Sequence, residues 1–272
     1  MKRHGYGYQT SSDDDSSDDL DSLAVQYPVK QNVDSAIIND TKKEVKLKKL
    51  FERDTYHIIK EHKTDDDDLD IDCFSCCYSL DGNNFVIGLS DGSVKIYNTQ
   101  NQYKLAYYLP DPNHKALPST CVRYRPYTPN VDAKNMLLVS YSSGSLCQWH
   151  TQSQACIYTI EEKENQIFGI DYAQEGNKFT SCGSDASVRV YDEATKSLIA
   201  KLDRHVQPEL VAHSSRVYTA KFHPNDDNMI LSGGWDNTIQ IWDIRMGTSV
   251  TSIYGPNICG DALSIHPNGH QF

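Results

Sequence analysis

The 272-residue sequence predicts an all-β fold made of repeated four-stranded units, preceded by a charged N-terminal tail. From Asp72 onward the chain consists of short runs rich in Val, Ile, Tyr, Thr and Cys, separated by turn pairs such as Asp91-Gly92. The same region contains no long stretch with helical periodicity. Four of the runs follow one template, which indicates an internal repeat.

The tail, residues 1–55, is charged in blocks. Ser11–Ser22 holds six Asp and no base, whereas residues 42–53 hold six bases against two Glu. Segments with so little apolar surface do not offset the conformational entropy that folding costs, so we expect a disordered tail. The basic block leaves three interpretations open: a charged linker, a nuclear-import or nucleic-acid patch, or a short helix that docks on a partner.

The four copies of the template follow one another along the chain. Each passes through a tight turn into a run that closes on an aromatic residue, and the closing aromatics are separated by 52, 42 and 51 residues. The copies cover 89–97, 141–149, 183–191 and 234–242. Insertions account for the two long spacings, so the repeat itself is unbroken. They lie at 110–118, 127–135 and 203–212.

The fourth unit shows its strands most clearly. The pattern predicts strands at 217–223, 229–233, 238–242 and 249–254, with Asp236-Asn237 in the hairpin turn before the third strand. By the same spacing the units cover about 72–110, 119–163, 167–204 and 213–256. A further strand over Ile258–His266 would open a fifth, partial unit at 257–272.

Residues 56–272 resemble the WD-repeat β-propeller family. The sharpest copy carries His213, Ser232, Asp236 and Trp242 at the positions that characterise such a unit. The resemblance implies that these four side chains form a buried, hydrogen-bonded network that pins neighbouring strands. A network of this kind adds rigidity when every member has a partner.

The other three units depart from the family pattern. Tyr97 and Tyr191 stand where the family has Trp, Ser143 stands where it has Asp, and His150 follows Trp149 in place of Asp. We therefore expect the first three units to keep their strands but to lack the full network.

The number of units is also small for this architecture. Propellers close a ring of blades, and an unfinished ring leaves sheet edges open, a state that natural proteins avoid. We therefore expect an incomplete ring in this chain, with about two to three blades missing. Tyr56–Lys60 has the pattern of the outer strand that completes the last blade of such a ring.

One turn has the composition of a protein-binding surface. Trp235 precedes Asp236 at a position where the other units have serine. Those serines are Ser90, Ser142 and Ser184. The resemblance implies that Trp235 lies at the rim of the central opening beside Arg216 and Tyr218. Because Trp, Tyr and Arg dominate interface hot spots, we predict a non-catalytic scaffold that binds proteins or peptides there.

Two alternative functions rest on short motifs. The string from Trp242 to Arg245 is similar to one by which substrate receptors of this family engage the adaptor of a cullin-RING ubiquitin ligase; Arg245 would be the contact, or it pairs with a nearby loop. The string from Gly88 to Gly92 matches the nucleophile elbow of a serine hydrolase, with Ser90 as nucleophile. A strand-like run follows Ser90 instead of the helix that an elbow requires, which favours a simple turn.

No other motif supports catalysis or metal binding. The cysteines at 73, 76 and 77 have no second ligand pair downstream. The acidic run 68–72 lacks the glycine and glutamate of a calcium loop, and no Gly-Lys-Ser/Thr string cradles a phosphate. We therefore expect no enzyme activity, no cofactor and no metal.

Composition limits the partners and the compartment. A formal charge of −11 argues against nucleic acid as a partner, and the absence of a long apolar run argues against the membrane. The eight cysteines lie in apolar, alternating segments, so we expect buried, reduced thiols. These features predict a cytoplasmic, or alternatively nuclear, protein.

Overall fold

The computed structural model describes residues 71–112, 115–127, 135–204 and 212–272. The chain divides into two units, Met1–Thr64 and Asp65–Phe272, and all described residues belong to the second. The predictions for the tail, 1–55, and for a strand at Tyr56–Lys60 lie outside the described residues.

The described part is all-β, as the sequence predicts. Sixteen strands form four antiparallel sheets of four strands each, and each sheet is called a blade here, numbered in chain order. Blade one holds β1 (Cys73–Tyr78), β2 (Asn84–Leu89), β3 (Val94–Asn98) and β4 (Lys104–Leu109). Blade two holds β5 (Ser119–Tyr124), β6 (Met136–Tyr141), β7 (Ser145–His150) and β8 (Ala155–Glu161). A short 3-10 turn, Thr99–Asn101, lies between β3 and β4.

The two remaining blades repeat this order. Blade three holds β9 (Ile167–Tyr172), β10 (Lys178–Gly183), β11 (Val188–Asp192) and β12 (Leu198–Leu202). Blade four holds β13 (Val217–His223), β14 (Asp226–Gly234), β15 (Thr238–Asp243) and β16 (Thr248–Tyr254). Strands of a blade pair in sequence order, so every connection within a blade is a hairpin.

The hydrophobic core lies between consecutive blades, because alternate residues of a strand face opposite sides of its sheet. In β6, Leu137 and Val139 pack toward blade one, whereas Leu138 packs toward blade three. The second and third strands are buried on both faces and the fourth strands are largely exposed. Blades two and three are thus layers between two neighbours, which is how propeller blades stack.

Polar contacts between the first strands fix the spacing of the blades. The Val122 amide donates to Ser75 Oγ at 3.1 Å, and Thr120 Oγ1 donates to the Ile167 carbonyl oxygen at 2.7 Å. The Phe222 amide donates to Asp171 Oδ2 at 3.0 Å. Consecutive first strands therefore lie side by side.

The last predicted strand is absent. Residues 258–266 form no strand, although Ile258 and Leu263 pack on the buried face of β14 and β15. A strand requires a neighbour for its backbone hydrogen bonds, and no described strand lies on the far side of this segment. The prediction of a strand over Ile258–His266 is therefore wrong for this structure.

The prediction for the cysteines holds only in part. All eight are free thiols, and those at 121, 147 and 182 are buried. Cys73 and Cys76 are exposed because one face of β1 has no described blade against it, and Cys156 is exposed because it lies on the outer strand β8. Cys259 lies in the exposed segment after β16. In the part of the chain that the structure describes, no group of metal-ligating side chains is large enough for a metal site, and no helix could span a membrane.

Candidate functional site

Four equivalent turns define one edge of the blades, which we call the rim. In each blade the first residue after the second strand donates its backbone N–H to the carbonyl oxygen of the residue before the first strand, at 2.9–3.0 Å. The donor–acceptor pairs are Ser90–Asp72, Ser142–Pro118, Ser184–Gln166 and Trp235–Arg216. The serine positions predicted to correspond to Trp235 are therefore structurally equivalent to it.

The rim of blades three and four carries a row of three aromatic rings in contact, of which the first pair is stacked and the second is tilted. The Phe168 and Tyr218 rings lie 4.8 Å apart at 13°, and the Tyr218 and Trp235 ring centroids lie 5.2 Å apart. The Arg216 guanidinium carbon lies 5.7 Å from the Trp235 ring centroid, within cation–π distance. These four residues are called the rim cluster, and Trp235 is 46% exposed within it.

The structure thus brings together three of the predicted partner-binding residues, Trp235, Arg216 and Tyr218, and adds Phe168. The repeat template did not include Phe168, although the sequence contains a signal for it. Phe168 lies two residues after Gln166, as Tyr218 lies two residues after Arg216, and Gln166 and Arg216 are equivalent rim positions. Aligning the first strands would have paired the two rings.

A glycine lets the turn of Trp235 approach the first strand. A Cβ atom on Gly234 would lie 2.3 Å from the Arg216 carbonyl oxygen, which is closer than real contacts allow. The missing side chain therefore permits the hydrogen bond between Trp235 and Arg216 that sets the two side chains beside each other.

Below this turn lies the hydrogen-bonded network proposed from the sequence. His213 Nδ1 lies 2.8 Å from Asp236 Oδ2, and His213 Nε2 lies 2.7 Å from Ser232 Oγ. Trp242 Nε1 donates to Ser232 Oγ at 2.7 Å. The structure brings all four side chains together, and His213, Ser232 and Trp242 are at most 2% exposed.

The partners in this network fix where its protons lie. A carboxylate only accepts, so His213 Nδ1 carries a proton and donates it to Asp236. Ser232 accepts from the indole of Trp242 and donates its own proton to His213 Nε2, which completes the chain. Burial raises the pKa of Asp236, but the hydrogen bonds from His213, the Ser214 amide and Thr238 outweigh it and lower that pKa to about 2. Asp236 also accepts the Ser214 amide at 2.9 Å, so the turn beside Trp235 is held in place.

Blade three contains a different network at the corresponding place. Glu162 is buried; its Oε1 accepts the Tyr191 hydroxyl at 2.9 Å and the Ser181 hydroxyl, and its Oε2 accepts Asn165 Nδ2 at 2.7 Å. Arg189 Nη1 lies 3.1 Å from Glu162 Oε2. Blade three lacks the full network of the family, as expected. A buried carboxylate takes the place of the histidine, however, so the blade has a hydrogen-bonded network of another kind. No family motif contains this glutamate, so the sequence pattern did not indicate it.

Within the described residues, blade two lacks the full network, as expected. The register places Val139 where blade four has Ser232, since Leu137 pairs with Trp149 as Ile230 pairs with Trp242. A valine cannot accept a hydrogen bond, and the buried Trp149 Nε1 has no partner within the described residues.

The residues of the two alternative functions lie elsewhere. Arg245 is 63% exposed at the end of β15 away from the rim, where its Nε and Nη2 donate to both carboxylate oxygens of Asp243, at 3.0 and 2.7 Å. Ser90 Oγ accepts the Asp72 amide at 3.0 Å, and its turn leads into strand β3. The strand–turn–helix geometry of a nucleophile elbow is absent at Ser90.

Comparison with protein-family models gives one family. The model described as WD domain, G-beta repeat matches residues 55–98, 154–192 and 204–243. The second match begins just before β8 and ends at the end of β11, so it joins the outer strand of blade two to the first three strands of blade three. The third match covers the first three strands of blade four and ends with β15. The strands β5 to β7, where the network is lost, lie outside the matches.

Several curated proteins are similar to this chain. The LEC14B homolog of Prunus armeniaca is 29% identical over 62% of the chain and 35% of its own length. The U3 small nucleolar RNA-associated protein 21 homolog of Schizosaccharomyces pombe is 26% identical over 72% of the chain and 19% of its own length. The guanine nucleotide-binding protein subunit beta-1 of Drosophila melanogaster is 26% identical over 52% of the chain and 39% of its own length. The chain thus spans well under half of each of these relatives.

Proposed function

Because the chain belongs to the WD-repeat family, we propose that it is a non-catalytic scaffold that binds a protein partner through the rim cluster. The observation that supports this most is Trp235, a half-exposed indole at a position where the three equivalent turns have serine. An exposed Trp costs solubility unless it is covered, and it is the residue type most enriched in interface hot spots.

Rigidity supports the same function. The Trp235 turn is held from below by Asp236 and His213 and from the side by the carbonyl of Arg216. A side chain fixed before binding loses less conformational entropy when a partner covers it. The rim cluster is therefore ready to bind without rearrangement.

The test is partner capture with matched variants. The full chain, its Trp235→Ala variant and its Met246→Ala variant are immobilised and exposed to extract of the cells that make the protein. Met246 is 67% exposed at the other end of β15 and serves as the control. We expect Trp235→Ala to weaken capture by about 30-fold or more, as a hot spot does, while Met246→Ala has no effect. Equal capture by Trp235→Ala would contradict the proposed function.

The relatives suggest where such a scaffold would work. One relative is named as a small nucleolar RNA-associated protein and another, 28% identical over 34% of the chain, as an mRNA export factor. We propose by analogy that the chain joins protein assemblies in the nucleus or the cytoplasm. The analogy concerns assemblies and not direct contact with nucleic acid, for which the net charge of −11 is unfavourable.

Binding of a ubiquitin-ligase adaptor is a second candidate, supported by the exposure of Arg245. Its guanidinium already donates two hydrogen bonds to the carboxylate of Asp243, so an adaptor carboxylate would have to compete with Asp243 for it. Replacing Arg245 by Ala would abolish capture of a purified adaptor and leave the melting temperature unchanged. Unchanged capture would remove this candidate without affecting the rim cluster.

A further inference from the structure

The free polar groups of the rim cluster are hydrogen-bond donors. Arg216 is exposed, and within the described residues no carboxylate or carbonyl accepts from its side chain. Trp235 Nε1 and the Tyr218 hydroxyl likewise have no partner among the described residues. Arginine and the indole N–H can only donate. A partner that satisfies this cluster must therefore supply acceptors.

The contact between Arg216 and the Trp235 ring favours one geometry of acceptor. A cation over a ring face is held by electrostatic attraction and not by a hydrogen bond, so the guanidinium N–H groups stay available. Those groups form a fork that matches the two oxygens of a carboxylate. The indole beside the fork presents a flat apolar surface for a neighbouring side chain.

Three carboxylates among the described residues of this part of the fold have partners of their own. Asp236 is bonded to His213 and Ser214, Asp185 is paired with Arg189, and Asp261 is paired with Lys221 and Arg123. None of them is directed at Arg216. The positive charge of Arg216 is therefore left for a partner.

We propose that the rim cluster recognises an acidic peptide segment. An Asp or Glu carboxylate of the peptide accepts two hydrogen bonds from the Arg216 guanidinium, and an adjacent apolar or aromatic side chain packs on Trp235. This rests on the proposed function and adds to it the chemistry of the partner. Phosphate groups share the acceptor chemistry, but a single planar carboxylate suits one guanidinium with a ring beside it.

The test starts from a random peptide library displayed on phage and selected on the full chain. Peptides that also bind the Trp235→Ala variant are discarded. We expect the remaining peptides to contain Asp or Glu next to an aromatic or large apolar residue. We expect the affinity of a labelled, selected peptide to fall at least about tenfold with Arg216→Gln. The loss should be smaller with Arg216→Lys, because lysine keeps the positive charge but cannot form the bidentate hydrogen bonds of a guanidinium.

Two controls make the outcome decisive. The exposed Lys163 also lies in a loop at the rim, and Lys163→Gln should leave binding unchanged. In the peptide, Glu→Gln should abolish binding and Glu→phosphoserine should not improve it. Selected peptides that are neutral or basic, acidic peptides indifferent to Arg216→Gln, or stronger binding of the phosphopeptide would overturn the proposal. If Trp235 is needed for capture of the natural partner while the selected peptides are neutral, only this inference fails and the proposed function stands.

Discussion

At the scale of single residues, the blades differ in whether their buried polar atoms all have hydrogen-bond partners. In blade four every polar atom of His213, Ser232 and Trp242 that faces inward has a partner. In blade two one change to Val139 leaves Trp149 Nε1 unpaired. The sequence predicts the first case because the four residues form a motif. It could not predict the carboxylate of Glu162, since this network depends on a contact between a loop and a strand that no spacing indicates.

Ser232 is the centre of the blade-four network. Replacing Ser232 by Ala removes the acceptor of the Trp242 indole and the donor to His213, and leaves two buried polar atoms unpaired. We expect a loss of about 1–3 kcal/mol in the free energy of unfolding, measured by urea denaturation. Ser214→Ala is the matched control, because Ser214 contributes its backbone amide alone. Equal midpoints for the two variants would contradict the role of Ser232.

The lowered pKa of Asp236 has a consequence for stability at acid pH. In the unfolded chain an aspartate titrates at about 3.9, whereas in the fold the pKa of Asp236 is about 2. Ionised Asp236 therefore stabilises the fold fully above about pH 4, and this contribution is lost as the pH falls toward 2.

The Asp236→Asn variant isolates this contribution. We expect the difference in unfolding free energy between wild type and variant to be constant from pH 7 to about pH 5 and to shrink between about pH 4 and pH 2. Denaturation at each pH measures it. A difference that does not change with pH would show that the ionised form of Asp236 contributes nothing.

Cys156 is expected to be the most reactive thiol of the protein. The neighbouring Cys147 thiol, which titrates together with Cys156, is the main reason that the pKa of Cys156 is lowered; burial opposes the lowering, and the hydroxyl of Thr159, 3.5 Å from Cys156 Sγ, adds to it. The thiolate is the nucleophile, so Cys156 should be alkylated fastest by iodoacetamide at pH 7, ahead of the exposed Cys73, Cys76 and Cys259. Peptide mass spectrometry over time measures the rates. Equal rates at all four thiols would contradict the expectation.

At the scale of strands and blades, alternation and turn chemistry predict most of the structure. The four strands expected in the last unit correspond to β13–β16 with ends shifted by at most a few residues. What the pattern could not predict depends on neighbours. Ile258–His266 has the alternation of a strand but no described partner, and Cys73 and Cys76 have the pattern of a core strand on a face that no described blade covers.

Blade three should depend on its buried glutamate. Glu162→Gln keeps the size of the side chain but removes the charge that faces Arg189. It also replaces one carboxylate oxygen by an NH2 donor, either the acceptor of the Ser181 and Tyr191 hydroxyls or the acceptor of Asn165 Nδ2. We expect a loss of about 1–3 kcal/mol in unfolding free energy. Glu164→Gln, an exposed neighbour in the same loop, is the control and should change stability by less than about 0.5 kcal/mol. A Glu162→Gln variant as stable as the control would show that blade three is held by packing alone.

At the scale of the whole described unit, stacked blades explain how remote sequence positions form one surface. Phe168 belongs to blade three and Arg216 to blade four, yet their first strands begin side by side and the aromatic row crosses from one blade to the next. A scaffold of this kind presents its contacts through rigid turns and not through a cavity. The proposed function therefore depends on a few exposed side chains at the rim, and the rest of the fold positions them.

Site-specific photocrosslinking is the most direct test of whether a partner binds at the rim. A photoreactive phenylalanine analogue is introduced at position 235 in the full chain in living cells, and at position 246 in a parallel strain as the exposed control. If the rim cluster binds the partner, we expect a covalent adduct to a discrete partner protein from position 235 and none from position 246. Adducts of equal yield from both positions, or from position 246 alone, would show that the rim is not the surface through which this protein works.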